Sequence, residues 1–184
     1  MKLKAMILAA VLVIPAAAHA QPIHEGNEIS LGYGTMSVYS FAYTLGGVFA
    51  TVFSLGEADI KDISSTGAIS LEYMRWVSPH VGVGALGVYE QCSMTFEDNT
   101  SSRSHLISVM PAAKFAWFGK DHFGMYTKVA AGVGAALDDG SADISLAAQV
   151  NPVGMDFGGQ SFRGFLELGW GTQGLVMFGL RKSF

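Results

Sequence analysis

Three things are scarce in this sequence: cysteine, charge and long apolar runs. The single cysteine, Cys92, rules out an internal disulfide in a chain of 184 residues, so stability has to come from another source. Charged residues make up 14% of the chain while half is hydrophobic, and the acidic residues outnumber the basic ones, 15 to 11. No basic stripe is present, which excludes nucleic acid as a partner. Past the first twenty residues, apolar positions are mostly interleaved with Gly, Ser and Thr. A helix needs about 20 consecutive apolar residues to cross a bilayer, and most of the chain offers none.

Both ends carry a signal. Lys2 and Lys4 precede a short apolar core from Ala5 to Ile14, and Ala18-His-Ala20 is a small-x-small cleavage site. Residues 1–20 therefore read as a signal peptide and 21–184 as the mature domain, beginning at Gln21 with a net charge of −6. Cys92 lies far from the cleavage site, so no thiol is placed there for lipidation. At the other end, Phe178, Leu180 and Phe184 share one face at period two, with Lys182 able to snorkel at its edge. A terminal strand closing on an aromatic suits a membrane-interface girdle and a C-terminal assembly signal in an outer-membrane barrel.

Between the ends, strand pairs surround short turns with aromatic shoulders. Trp76-Val-Ser-Pro79-His80, Trp117-Phe118-Gly-Lys-Asp-His-Phe123 and Phe157-Gly-Gly-Gln-Ser-Phe162 recur about every 40 residues, as one rim of a barrel would. The aromatic girdle is assigned to Trp76, Trp117, Phe118, Phe123, Phe157, Phe162 and Phe184. The opposite connections are polar: Phe96 to Arg103, Leu137 to Ser141, and the tight turn Gly171-Thr-Gln-Gly174. Eight strands result, at about 28–35, 66–76, 80–95, 104–117, 122–136, 142–157, 162–171 and 174–184. At about 10 residues per spanning strand they fit the length.

Residues 36–56 have two competing periodicities, within a stretch from Ile29 to Gly56 that has no charge at all. Val38, Phe41, Leu45, Val48 and Val52 fall at helical spacing, which predicts a short helix in a long first outward loop. Tyr39, Phe41, Tyr43 and Leu45 also alternate ahead of Gly46-Gly47, which would add a hairpin and give ten strands. A single spanning helix is the third option, but it would leave the apolar strands without a lipid face.

The segments Ile29-Ser-Leu-Gly-Tyr-Gly34, Leu71-Glu-Tyr73, Val81 to Tyr89 and Leu166-Glu-Leu-Gly-Trp-Gly-Thr-Gln-Gly174 resemble the small porin-like outer-membrane β-barrel family common in Bacteroidetes. The resemblance covers nearly the whole mature chain. It implies a small single barrel in the bacterial outer membrane, and it carries over no catalytic or ligand-binding residues.

Alternation sorts the strand charges. Glu72, Glu90, Lys114, Lys128, Arg163, Glu167 and Arg181 oppose apolar neighbours and are assigned to the lumen. There they would satisfy one another, as buried charges must. An ion-selective path is one reading, but an eight-stranded barrel is only wide enough to be filled by side chains. A catalytic reading would use Ser104, His105 and Ser108 with Glu90, Glu97 or Asp98. Its parity is wrong, because the two serines alternate away from His105. His80 and His122 sit in neighbouring turns without a third metal ligand. Asp138-Asp139 with Ser141 and Asp143 could hold Ca²⁺, although short acidic loops are more often simply solvated.

The expectation is an all-β, eight-stranded antiparallel up-and-down transmembrane β-barrel with a short helix in the first extracellular loop. Its function class is structural or surface-interacting, without enzyme activity, cofactor or metal. A narrow solute conduit is the alternative, and an outer-leaflet lipid-modifying enzyme a third reading. Expected partners are outer-membrane lipid and lipopolysaccharide and the barrel-assembly machinery, with the chain monomeric.

Overall fold

The computed structural model describes residues 26–42, 44–45, 60–96, 101–120, 122–138 and 141–184. The signal peptide assigned to 1–20 and the helix-or-hairpin question for 46–56 lie outside the described residues. Nine strands follow in chain order: β1 (Asn27–Thr35), β2 (Ile60–Ser65), β3 (Ala68–Ser78), β4 (Val81–Phe96), β5 (Ser101–Lys120), β6 (Phe123–Asp138), β7 (Ser141–Gly158), β8 (Phe162–Gly171) and β9 (Val176–Ser183). Every pairing is antiparallel, and β1 pairs with both β3 and β9 while β4 pairs with β5. The sheet therefore closes on itself through β1, β3, β4, β5, β6, β7, β8 and β9, an eight-stranded up-and-down barrel.

The strand in excess of eight is β2, an extension of β3. Ser65 stands opposite Cys92 in the β2–β4 ladder, and Ile69 stands opposite Tyr89 in the β3–β4 ladder. Four residues on one side match three on the other, so β2 and β3 are one wall strand broken by a bulge at Thr66–Gly67. Gly67 has φ +76°, and its neighbour Thr66 keeps the ladder linked by donating its N–H to the Gln91 carbonyl at 3.0 Å.

The barrel is inverted relative to a water-soluble protein. Leu31, Leu71, Val109, Val133 and Leu180 are each more than half exposed on the outside. Glu72, Lys114, Lys128, Glu167 and Arg181 are buried inside. Charges inside and aliphatics outside, alternating along each strand, suit a wall whose solvent is hydrocarbon. Phe123, Phe157, Phe162 and Phe184 are exposed near one rim, where the short turns lie. Trp117 and Phe118 are half-buried there, with Phe118 edge-on to Phe123. Trp76 corrects the girdle assignment: it is buried inside the barrel with Ala116 and Tyr126. It falls on the inward parity of Met74 and Glu72, because the strand continues past it to Ser78 before turning.

At the opposite rim the described residues include helix over 38–42 and 44–45. Ser37 caps it, its Oγ accepting the Ser40 N–H at 3.0 Å. Phe41 reaches over the wall to meet Trp170 edge-on at 5.7 Å.

The β8–β9 turn folds into the barrel, leaving Thr172 and Gln173 buried. Gln173 donates its backbone N–H to Gln149 Oε1 at 2.8 Å and its Nε2 to Ser70 Oγ at 2.9 Å, across the lumen. The close approach depends on glycine at two places. A Cβ on Gly34 would stand 1.7 Å from the Gln173 carbonyl oxygen, and Gly174 has φ +113°. Gly34→Val should therefore destabilise the barrel by about 1–3 kcal/mol in urea unfolding from lipid vesicles, as overpacking does. Gly87→Val, where the nearest atom is 3.8 Å away, should change stability by no more than about 0.5 kcal/mol.

Candidate functional site in the barrel lumen

The buried charged side chains among the described residues are Glu28, Glu72, Glu90, Asp156 and Glu167 against Lys114, Lys128, Arg163 and Arg181. They come from β1, β3, β4, β5, β6, β7 and β8–β9, so the network exists only once the wall has closed. Glu72 on β3 is its hinge. One carboxylate oxygen is bonded to Lys114 Nζ and the other lies 3.0 Å from Lys128 Nζ. Ser30 Oγ donates to the first oxygen at 3.3 Å. Lys128 also reaches Glu167 Oε2 at 2.6 Å, which links β3 to β8 through β6.

Arg181 fills the side of the lumen nearest the short-turn rim. Its Nη1 pairs with Asp156, its Nε lies 3.6 Å from Glu28, and its Nη2 donates to the Tyr126 hydroxyl at 2.9 Å. The Tyr126 hydroxyl in turn donates to Glu167 at 2.5 Å. The Tyr126 ring carries Lys114 at 5.1 Å and Arg181 at 5.0 Å from its centroid, two cation–π contacts on one ring. Phe165 stacks on Arg181 from the other side at 5.1 Å. Above this layer, Gln149 donates to Asn151 and to the Gly174 carbonyl, and Asn151 donates to Glu167. A chain of hydrogen bonds thus runs from the charge layer up to the tucked turn.

Two further charges of the expected network bind groups beyond the central layer. Glu90 is buried nearer the helix end, where it accepts hydrogen bonds from Ser37 and Ser65 and ties the helix cap and β2 to β4. Arg163 is buried near the short-turn rim, with its Nε donating to the Gly159 carbonyl at 2.9 Å. The sequence reading missed Glu28, Asp156, Tyr126, Gln149, Asn151 and Gln173. The signal for one of them was available: Tyr126 shares the parity of Lys128 on β6, whereas β1 and β7 held no charge already placed inside, and the register shift between Val150 and Val153 turns Gln149 and Asp156, of opposite parity, to the same face. Only the inward turn hides Gln173 from such a count.

The candidate catalytic set is not assembled. Ser104 and Ser108 are buried inside, and Ser104 donates to Asp138. His105 faces outward, its Nδ1 2.9 Å from the Tyr89 hydroxyl and its ring stacked on that of Tyr89. Glu97, Asp98 and Asp139 lie outside the described residues. His80 and His122 are not brought to a shared ligand. Each is held within hydrogen-bond distance of a backbone carbonyl in the next hairpin, Ala116 and Gly158, through Nδ1 at 3.1 Å. Among the described residues no group of three metal-binding side chains is present.

No family model matches the chain, and no curated protein matches it. Nothing in these comparisons supports the Bacteroidetes resemblance. Among solved structures, the chain is similar to Ail, the attachment invasion locus protein of Yersinia pestis. The identity is 16%, 88% of this chain and 100% of that one are covered, and the TM-score is 0.44. The barrel assignment stands on the closed register of the strands themselves.

A buried ion pair resists removal of one partner far more than its net worth suggests, since the other charge is left uncompensated. Glu72→Gln removes the carboxylate that Lys114 pairs with and leaves Lys128 to Glu167 alone, and should cost about 3–5 kcal/mol. Glu90→Gln leaves only hydroxyl partners and should cost about 1 kcal/mol, the scale of one ordinary hydrogen bond. Urea unfolding of the two variants from vesicles, side by side, checks the ranking.

Proposed function

We propose that the chain is a bacterial outer-membrane barrel of the surface-interaction type, with the short-turn rim toward the periplasm and the helix rim outward. The lumen supports this in being crossed, among the described residues, by paired side chains. Paired charges cross the barrel, and the turn at 171–174 folds over them with Gln173 bonded to Ser70 on β3. Eight strands leave little more room than side chains need.

The observation that carries the reading lies at the outward rim. Strands β5, β6 and β7 run for 20, 16 and 18 residues, whereas β8 has 10. The β7–β8 ladder begins at Gln149 opposite Gly171. Before that point β7 pairs with β6 alone among the described residues, so its other edge is open. On this segment Ile144 and Leu146 are 81% and 91% exposed. An open strand edge beside exposed aliphatics is a hazard unless it meets a partner, and strand addition to such an edge is a common mode of protein recognition. The β2 extension, paired with β4 alone among the described residues, forms the other edge of the same raised sheet.

Planar-bilayer recording of the refolded protein separates this reading from a narrow conduit. A barrel that inserts, migrates heat-modifiably and stays electrically silent is the expected result. Reproducible openings whose size changes with Lys114→Ala would make it a conduit.

A further inference from the structure

Two shallow grooves run end to end along the outer face of β1 and β9. The larger, about 510 Å³, lies among Leu31, Tyr33, Ile69, Phe178 and Leu180. The smaller, about 270 Å³, continues past Ile29 and Phe162 to Lys182. Leu31 and Leu180 border both, so the two form one channel. Its floor is the register pair Gly32 and Gly179, with the Phe165 ring close behind both backbones.

The channel is apolar along its length and charged at one end. From Phe178 to Lys182 the strand rises about 13 Å, close to the half-thickness of a bilayer's hydrocarbon core, about 15 Å. Lys182 is exposed on the outer face, opposite Ile29 and Phe162. Arg181 also borders the groove, but its guanidinium is turned inward to Asp156. Arg75 is exposed on the same face and rim, opposite Asn27. Among the described residues no acidic side chain faces outward on β1, β3, β8 or β9, since Glu28, Glu72 and Glu167 are all buried inside. The chain-terminal residue lies beyond Lys182, its backbone paired with Asn27.

We propose that this channel is a site for one anionic glycerophospholipid of the periplasmic leaflet, with an acyl chain along Leu31 and Leu180 and the phosphate on Lys182. A lysine at the membrane boundary gains most from a headgroup that brings a net negative charge to it. The site rests on the membrane reading above, and the test keeps the two apart.

The protein is inserted into nanodiscs of equal parts phosphatidylglycerol and phosphatidylcholine, checked for heat-modifiable migration, and released for native mass spectrometry. One phosphatidylglycerol should be retained over phosphatidylcholine by about fivefold, the scale one lysine contributes near an anionic surface. Lys182→Gln should abolish the preference, and Arg103→Gln at the opposite rim should leave it intact. Leu180→Trp, which fills the channel on its lipid side, should lower retention of both lipids. Equal retention of the two lipids by a folded barrel, or a preference unmoved by Lys182→Gln, overturns the site alone. A chain that never migrates as a barrel overturns the membrane reading, and the site with it.

Discussion

The carboxylate of Glu72, shared between Lys114 and Lys128, is the contact on which the rest of the interior depends. Each ion taken from water into the lumen loses several kcal/mol of hydration, and only excellent geometry with further hydrogen bonds returns it. Glu72 meets that demand by bridging β3 to β5 and β6, and Lys128 passes the linkage on to Glu167 on β8. Arg181 then ties β9 to β7 and β1. Every strand of the closed wall except β4 enters this chain of pairs, so the interior is satisfied all at once or not at all. That gives the charge layer a role in specifying closure as well as in filling space.

The outside imposes the opposite constraint. In hydrocarbon, no backbone group can be left to solvent, and only a sheet without edges meets that condition over the spanning segment. The wall obeys it by closing through the β4–β5 and β1–β9 ladders. Where the strands rise past β8 and β1 the constraint lapses, and among the described residues β7 and β2 are left with one edge unpaired. The change from closed to open ladder therefore marks where the barrel leaves lipid. On the proposed function it also separates the spanning wall from the part offered to another protein.

Much of this was legible in the sequence because the period of a strand is exactly two. Glu72 between Leu71 and Tyr73, or Lys114 beside Phe115, can be assigned a face without any structure. The aromatic-flanked turns marked one rim for the same reason. Parity fails where the chain departs from simple alternation. Trp76 was placed in the girdle because it stands next to a turn signal, yet β3 runs two residues further and keeps it on the inner face beside Tyr126. The bulge at Thr66–Gly67 breaks one wall strand into two, and no local pattern distinguishes it from a loop. Gln173 is hidden for a tertiary reason: its turn folds inward because Gly34 and Gly174 leave room, which is a contact between β1 and the β8–β9 turn. The open edge at β7 is likewise invisible in sequence, since it reflects the difference in length between two neighbouring strands.

The central claim is that the outer face meets lipid while the inner face is sealed from both lipid and water. Trp170 and Trp76 sit on opposite sides of the wall, 52% and 7% exposed, and report on it directly. Variants keeping one tryptophan each, the others changed to Phe, can be inserted into vesicles of brominated phospholipid. Trp170 emission should be strongly quenched by the brominated chains. Trp76 emission should be unaffected by them and by aqueous iodide. Quenching of Trp76 by lipid with protection of Trp170 would invert the wall, and quenching of Trp76 by iodide would open the lumen; either result contradicts the account.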